Sequence, residues 1–215
     1  MTLSRSLPWL IAAAALAGAL GLHLGQRYFA APSAPEAATR TALVYPQPRE
    51  LQDFLLERTD GRPLTLADWR GRWSVVFIGF THCPDVCPQT LALMRDIERA
   101  WPAPAGDPPG LYFVSVDPER DDARTLAEYA AYFSPSIVAA RGEHDRLQPF
   151  TRQLGMIYMR TPPEGGTYTV DHSTHLAVID PDGRLVALFR APLVADAIVA
   201  DLVALQADAS GPGGG

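Results

Sequence analysis

Apolar positions in the middle of the chain alternate between strand-like runs and helical periods. Two continuous apolar runs, residues 73–80 (WSVVFIGF) and residues 111–116 (LYFVSV), are typical of buried strands. Residues 86–101 between them carry apolar side chains at helical spacing, which predicts a helix. This alternation of strand and helix predicts an α/β fold in which helices cover both faces of a central sheet.

The same patterning predicts shorter elements around this centre. Residues 54–66 indicate a hairpin, because Asp60-Gly61 separates two short apolar stretches. Three further helices are indicated, over residues 121–133, 146–154 and 194–205. Short apolar runs bounded by turn residues indicate four further strands, over residues 137–140, 168–170, 176–179 and 185–189. We therefore expect the chain to close with a hairpin followed by a helix.

A different pattern occupies the N-terminus, where residues 7–22 (LPWLIAAAALAGALGL) carry no charge. A helix rises about 1.5 Å per residue, so this segment nearly crosses a hydrocarbon layer of about 30 Å. Trp9 and Tyr28 fall where aromatic side chains favour the membrane interface. We therefore expect residues 1–30 to form a transmembrane anchor, with a cleaved signal peptide as the alternative. In both cases the rest of the chain is exported.

Two other stretches lack the periodicity of folded elements. Residues 31–49 are rich in Ala and Pro, a composition typical of a semi-rigid linker. Residues 207–215 end in SGPGGG and are expected to form a disordered tail. One folded domain is thus expected over residues 50–206, a length typical of a single domain.

The charged residues exclude some classes of binding partner and of catalytic chemistry. The chain has 18 basic residues against 24 acidic ones, a formal net charge of -6 at pH 7, and every basic residue is Arg. Nucleic-acid binding normally requires a basic surface, so nucleic acid is not an expected partner. The absence of Lys also excludes a phosphate-binding P-loop and Schiff-base catalysis, because both need a lysine amine.

The candidate chemistry lies at Cys83 and Cys87, the only two cysteines, in the segment FTHCPDVCPQT. They fall where a predicted strand passes into a predicted helix, and the unpaired amides of a helix N-terminus favour a thiolate. If the chain is helical from about Pro84, the spacing of four residues places both sulfurs on one face, with Cα atoms about 6 Å apart. The pair can therefore be a disulfide, a dithiol or a metal chelate.

A purely structural disulfide is the weakest of these interpretations, because closing so short a loop restricts the unfolded chain very little. Redox chemistry or metal binding explains the pair better. Two soft thiolates favour Cu(I), and an imidazole as third ligand would allow the same site to hold Cu(II). A histidine elsewhere in the chain would have to supply that ligand.

Among the five histidines, His172 is the best candidate for the third ligand. It follows a predicted strand at a loop near the sheet edge, and the neighbouring Asp171 could hydrogen-bond to it. His175, three residues further on, would point to the other face of an extended strand. Met156 and Met159 also carry soft sulfurs, but the surrounding GMIYM pattern predicts that both lie in the core.

Three segments together resemble the Sco/SenC family: FTHCPDVCPQTL, VSVDPERDD and TVDHSTHLAVIDPDGRL. Members of that family are thioredoxin-fold copper chaperones for the copper A centre of cytochrome c oxidase. The resemblance covers residues 50–205 and implies a thioredoxin-like α/β fold, with a mixed central sheet flanked by helices and an N-terminal transmembrane helix. It also implies that one copper ion, as Cu(I) or Cu(II), is bound by Cys83, Cys87 and His172.

The resemblance also implies surroundings and partners for the site. Asp117 in VDPERD, together with Asp171, is expected to lie just outside the copper ligands and support them. The expected partners are the cytochrome c oxidase subunit that carries the copper A site and a copper donor or thiol reductant. The domain is expected to face the periplasm, held at the inner membrane by residues 1–30 unless that anchor is cleaved.

The predicted function is therefore that of a metallochaperone and not an enzyme, with Cys83 and Cys87 also able to form a redox-active disulfide. A thiol-disulfide oxidoreductase is the principal alternative, although such proteins typically carry a C-x-x-C pair and do not need His172. A thiol peroxidase is less compatible, because Thr81 lies two residues before Cys83 where three are expected. A purely structural or redox-signalling role is a further alternative.

Overall fold

An eight-stranded sheet forms the centre of the domain, and a separate pair of strands accompanies it. The structure, a computed structural model, describes Trp9, residues 14–21, Gly25, residues 41–161 and residues 168–209. The strands, in chain order, are β1 Ala42–Glu50, β2 Leu55–Arg58, β3 Pro63–Thr65, β4 Ser74–Gly79, β5 Gly110–Ser115, β6 Val138–Arg141, β7 Tyr158–Thr161, β8 Thr169–His172, β9 Leu176–Ile179 and β10 Arg184–Phe189. The helices are α1 Val86–Arg99, α2 Ala123–Phe133, α3 His144–Gln153 and α4 Ala195–Ala209, with short 3-10 turns at Leu66–Asp68 and Ala103–Ala105.

The large sheet has the strand order β1-β10-β9-β4-β5-β6-β2-β3. Strands β4, β5 and β6 run parallel, whereas the pairings outward from β4 and β6 are antiparallel, so the sheet is mixed. Every residue of β4 and β5 is buried. Because successive strand residues point to opposite faces, this burial means that both faces of the sheet are covered. The predicted α/β fold with a mixed central sheet flanked by helices is confirmed.

Strand β1 makes the predicted linker end earlier than expected. Residues 42–49, which their composition assigns to the linker, lie in this edge strand and pair with β10. A sheet edge tolerates proline, and the register shifts between Val44 and Arg49, where the chain carries two prolines. Just before the strand, the Thr41 backbone N–H and hydroxyl donate to the Asp201 carboxylate at 2.7 and 2.9 Å. The linker prediction from composition was wrong for these residues because a strand at a sheet edge does not require an apolar pattern.

The two terminal segments are only partly described. Helix α4 continues through Ala209, so the first residues of the predicted tail 207–215 are helical, and residues 210–215 lie outside the described residues. The described residues within the predicted anchor 1–30 are helical, but most of that segment is not described. Among the described residues, no helix is both long and apolar enough to cross a bilayer. The anchor therefore stays a prediction.

Strands β7 and β8 form an antiparallel pair that makes no ladder with the eight-stranded sheet in the described part of the chain. The sequence predicts β8 but not β7, because three of the four β7 side chains are exposed and leave no apolar pattern. Met159 on β7 is 67% exposed, so its predicted place in the core is wrong, whereas Met156 is buried as predicted. The importance of this hairpin is that β8 ends at His172.

Candidate metal centre

The two cysteines lie where β4 gives way to α1. Strand β4 ends at Gly79, and α1 begins at Val86, two residues later than the expected start near Pro84. Cys83 lies half-buried in the intervening loop, and Cys87 lies fully buried in the first turn of α1; both are free thiols. The backbone N–H of Cys87 faces the Cys83 sulfur at 3.5 Å. An amide in the first turn of α1 therefore contacts the Cys83 sulfur, as expected for a helix N-terminus.

His172 lies beside the two cysteines although it is far from them in the sequence. Its Nε2 lies 3.4 Å from the Sγ of Cys87 although the two residues are 85 positions apart. The ligand atoms of Cys83, Cys87 and His172 all lie within 4.8 Å of one another, and no other group of three or more potential metal-ligating residues occurs in the described part of the chain. His175 does not belong to the group, and it lies between β8 and β9 instead of in a continuous strand with His172.

The His172 imidazole is oriented for ligation. Its Nδ1 lies 2.9 Å from the carbonyl oxygen of Ser173, and because a carbonyl can only accept, Nδ1 carries the hydrogen and Nε2 presents its lone pair. The rings of Phe77 and Phe80 contact the imidazole edge-on, each with a centroid separation of 5.8 Å. Burial lowers the pKa of His172. The ring is therefore neutral at neutral pH, the form that binds a metal ion.

Cys87 binds its proton tightly when no metal is present. Burial, the largest cause, raises the pKa of the Cys87 thiol, and the nearby Cys83 and Asp121 add to the effect through their negative charge. A metal ion replaces that proton because only the thiolate is a strong ligand. Metal binding at this site therefore releases a proton from Cys87, and the partly exposed Cys83 provides the accessible side of the pair.

Gly79 provides the space that the Cys87 sulfur occupies. A Cβ atom at position 79 would lie 2.5 Å from the Cys87 Sγ and 3.0 Å from Cε2 of Phe113. Only glycine therefore allows the first turn of α1 to approach the end of β4 this closely. Sequence reasoning placed Gly79 in a buried apolar run and missed this role, because a strand pattern does not reveal which side chain packs against it.

We expect Gly79→Ala to lower the free energy of unfolding by about 1–3 kcal/mol, because the added methyl group overlaps the Cys87 sulfur. Denaturant titration of the metal-free, reduced protein measures this change. In a Cys87→Ala background the sulfur is gone, so the same substitution should cost much less. An equal cost in both backgrounds would contradict the proposed overlap between residue 79 and the sulfur.

Asp121 is a buried carboxylate near the cysteines that sequence reasoning missed. It accepts the Thr81 backbone N–H at 3.0 Å, the Thr81 hydroxyl at 2.6 Å and the Ser115 hydroxyl at 2.6 Å. These bonds tie the residues just before Cys83 to the end of β5. The DPERDD run indicated only acids at the start of a helix, and the adjacent Asp122 does cap α2 in that way. Nothing in the sequence distinguishes the two neighbouring aspartates.

The two predicted supporting aspartates form hydrogen bonds with residues other than the three ligands. Asp117 is fully buried and accepts the Tyr168 hydroxyl at 2.6 Å. Asp171 is exposed and accepts the Thr161 hydroxyl at 2.7 Å. Its charge raises the pKa of His172, but less than burial lowers it. A supporting role at a bound metal stays a prediction for both aspartates.

The donor set defines what this centre can bind. Two sulfurs and one imidazole nitrogen are soft to intermediate donors, which suit copper and are unlike the oxygen ligands preferred by magnesium or calcium. Structural zinc sites normally close with four protein ligands, and only three are gathered here among the described residues. The half-buried Cys83 leaves one side of the group accessible. A three-coordinate site open on one side is suited to exchanging its metal with a partner.

A family model and curated relatives match most of this domain. The model described as SCO1/SenC matches residues 45–207. A protein of Stutzerimonas stutzeri is 33% identical over 156 residues, a match that covers 73% of this chain and 76% of that protein. The human protein named "Protein SCO1 homolog, mitochondrial" is 35% identical over 141 residues, covering 63% of this chain and 46% of the human protein. The match thus spans about half the length of the mitochondrial relative.

Solved structures with the same fold extend the comparison. The Arabidopsis thaliana protein titled ScoI, solved with copper bound, aligns with a TM-score of 0.67 and 30% identity, covering 73% of this chain and 96% of that one. Yeast Sco1, also solved with copper bound, aligns with a TM-score of 0.68 and 28% identity, covering 77% and 92%. Apo Sco1 from Thermus thermophilus aligns with a TM-score of 0.70 and 34% identity, covering 79% and 99%. The fold is thus that of the thioredoxin-like Sco proteins.

Proposed function

This chain belongs to the SCO1/SenC family, and we propose that it is a metallochaperone that binds one copper ion through Cys83, Cys87 and His172 and delivers it to the copper A site of a cytochrome c oxidase subunit. The observation that carries the proposal is the convergence of the two sulfurs and the imidazole nitrogen within 4.8 Å. The copper-bound relatives from Arabidopsis and yeast support copper as the metal.

The soft sulfur donors of the site favour Cu(I). Two thiolates and one copper(I) ion leave a net charge of -1, which the neutral His172 ring does not change. Loading replaces the proton of the Cys87 thiol with the metal ion, while the oxidation state of copper stays the same. The affinity for Cu(II) depends more strongly on the imidazole, because nitrogen donors suit that ion better than a pair of thiolates alone.

Release requires that an acceptor reach the ion. Cys83 and His172 are both partly exposed, whereas Cys87 has no exposed surface. An acceptor with its own cysteines and histidines can therefore replace the two partly exposed ligands first and Cys87 last. Such stepwise exchange keeps the ion bound to protein ligands throughout the transfer.

Oxidation of the cysteine pair would switch the site off. Formation of a Cys83–Cys87 disulfide releases two protons and two electrons, and the electrons pass to an oxidised partner such as a second disulfide. A disulfide supplies no thiolate, so copper loading requires the dithiol form. A thiol reductant is therefore a required partner in an oxidising compartment, together with a copper donor.

The proposed location is the periplasm. Residues 1–30 carry the uncharged run that is expected to anchor the chain in the inner membrane, with the copper-binding domain outside the cytoplasm. The net charge of -6 does not favour binding to nucleic acid. An uncleaved anchor would keep the domain close to membrane-bound oxidase subunits.

A thiol-disulfide oxidoreductase is a second candidate function. The pair combines an accessible sulfur at Cys83 with a buried one at Cys87, an arrangement that suits a nucleophile and a resolving thiol. In that case the protein would reduce a disulfide of the oxidase subunit or of another periplasmic protein, and His172 would be dispensable.

Copper transfer to a reduced, metal-free copper A domain distinguishes these two functions. We expect the copper-loaded protein to pass its ion to the acceptor, measured as copper bound to the acceptor after the two proteins are separated, and Cys83→Ser protein treated in the same way to pass none. A reductase would instead reduce an oxidised acceptor without moving copper, equally well in wild-type and His172→Ala protein. Disulfide reduction with no copper transfer would contradict the chaperone function.

A further inference from the structure

The position of His172 depends on a hairpin that the main sheet does not hold. Strands β7 and β8 pair only with each other in the described part of the chain. Within the hairpin, the Ser173 N–H donates to the Ile157 carbonyl at 2.9 Å, which fixes the end of β8 to the start of β7. That bond cannot place the hairpin relative to the two cysteines. Contacts between the hairpin and the rest of the domain must do so.

One of these contacts is made by Tyr168, immediately before β8. Its hydroxyl donates to Oδ1 of Asp117 at 2.6 Å, and Asp117 is fully buried in the loop after β5. The other carboxylate oxygen of Asp117 pairs with Arg120. Arg120 in turn donates through Nη1 to the Tyr168 carbonyl at 3.2 Å. The three residues form a closed ring of hydrogen bonds, which we call the Tyr168 clamp.

Ring contacts extend the clamp to the metal ligand. The Arg120 guanidinium lies 4.0 Å from the centroid of the Tyr168 ring and 5.5 Å from that of Phe80. Phe80 is the residue whose ring stands nearly perpendicular to the imidazole of His172, at 5.8 Å. The same arginine therefore touches the base of β8 and a wall of the imidazole pocket. Movement of one would disturb the other.

The clamp acts on His172 through the strand as well. A strand rises about 3.3 Å per residue, so the four steps from Tyr168 to His172 span about 13 Å. A buried carboxylate that loses a hydrogen-bond donor is left under-satisfied and is free to rearrange with its remaining partner. Loss of the Tyr168 hydroxyl would therefore loosen β8 at its start and shift the imidazole at its end.

We propose that Tyr168, Asp117 and Arg120 are positioning residues that hold His172 against the cysteine pair and so set the affinity of the site for Cu(II) relative to Cu(I). The inference rests on the proposed copper function and adds the residues that tune it. Two thiolates satisfy Cu(I) with little help, whereas Cu(II) depends on the imidazole. A displaced imidazole should therefore weaken Cu(II) binding selectively.

Tyr168→Phe in the full-length protein in detergent tests the clamp, because it removes one hydroxyl and keeps the ring under Arg120. We expect Cu(II) affinity to fall about tenfold and Cu(I) affinity to change by less than about twofold, the scale typical of residues that support a metal ligand. The thiolate-to-Cu(II) absorption should also shift. The matched control is Tyr112→Phe, which removes a tyrosine hydroxyl bonded to the Asp68 carbonyl at 3.3 Å, outside the clamp.

The outcomes separate the clamp from the copper function. Wild-type Cu(II) affinity and absorption in Tyr168→Phe protein would overturn the clamp while leaving the copper site intact. An equal fall in Cu(I) and Cu(II) affinity would also overturn it, because general loosening would then explain the change. Wild-type protein that binds no copper through Cys83, Cys87 and His172 would overturn the proposed function and the clamp together.

Discussion

Changing either Cys83 or Cys87 to serine is expected to reduce Cu(I) affinity by a few hundredfold or more. A serine hydroxyl stays protonated at neutral pH and is a hard donor, so the variant loses one soft sulfur and one compensating negative charge. Thiolate and imidazole zinc sites bind with about 10–16 kcal/mol shared among four ligands, so one lost ligand costs about 2.5–4 kcal/mol. That loss corresponds to a few hundredfold in affinity.

Competition against a Cu(I) chelator of known affinity measures the effect. Both variants should lose copper to the chelator at concentrations where the wild type keeps one ion per chain. Thr90→Ser is the matched control, because Thr90 is buried on α1 beyond Cys87 and outside the three-ligand group. Retention of copper at wild-type affinity by either cysteine variant would contradict the assignment of that sulfur.

The central sheet was predictable because its strands are buried on both faces. Continuous apolar runs over residues 73–80 and 111–116 correspond to β4 and β5, in which every residue is buried. The hairpin at Asp60-Gly61 was predictable for a different reason, since the Gly61 backbone has a φ of 82°, a conformation that favours glycine. Local signals of this kind do not depend on the rest of the fold.

The elements that escaped prediction carry little apolar pattern of their own. Strand β1 is mostly exposed and contains two prolines, and it is a strand because β10 offers it an edge. Strand β7 is a strand because β8 pairs with it, which leaves Met159 exposed. Both segments form strands because another strand pairs with them, so the local sequence pattern does not predict either strand.

The candidate site was only partly readable from the residues. Spacing alone marked Cys83 and Cys87 and their helix N-terminus, and its place after a predicted strand made His172 the best candidate histidine, which the family resemblance then implied as a ligand. Its imidazole reaches Cys87 across 85 positions, a distance that no local pattern encodes. Gly79 and Asp121 were missed because their roles lie in the space left for a sulfur and in bonds to a loop on another strand.

His172→Ala is expected to produce the second large effect, at least about a hundredfold loss of Cu(II) affinity, or about 3 kcal/mol. The variant removes the only nitrogen donor of the group, while both sulfurs stay in place. Cu(I) affinity should fall less, because the two thiolates satisfy that ion with little help. His175→Ala is the matched control, since His175 lies three residues away on the same segment but outside the group.

Cu(II) titration of wild-type, His172→Ala and His175→Ala protein, followed by thiolate-to-copper absorption, tests the convergence of the three ligands most directly. The account predicts one ion per chain with the same spectrum for wild-type and His175→Ala protein, and a weakened, altered spectrum for His172→Ala alone. A His172→Ala protein that binds Cu(II) with wild-type affinity and an unchanged spectrum would contradict it.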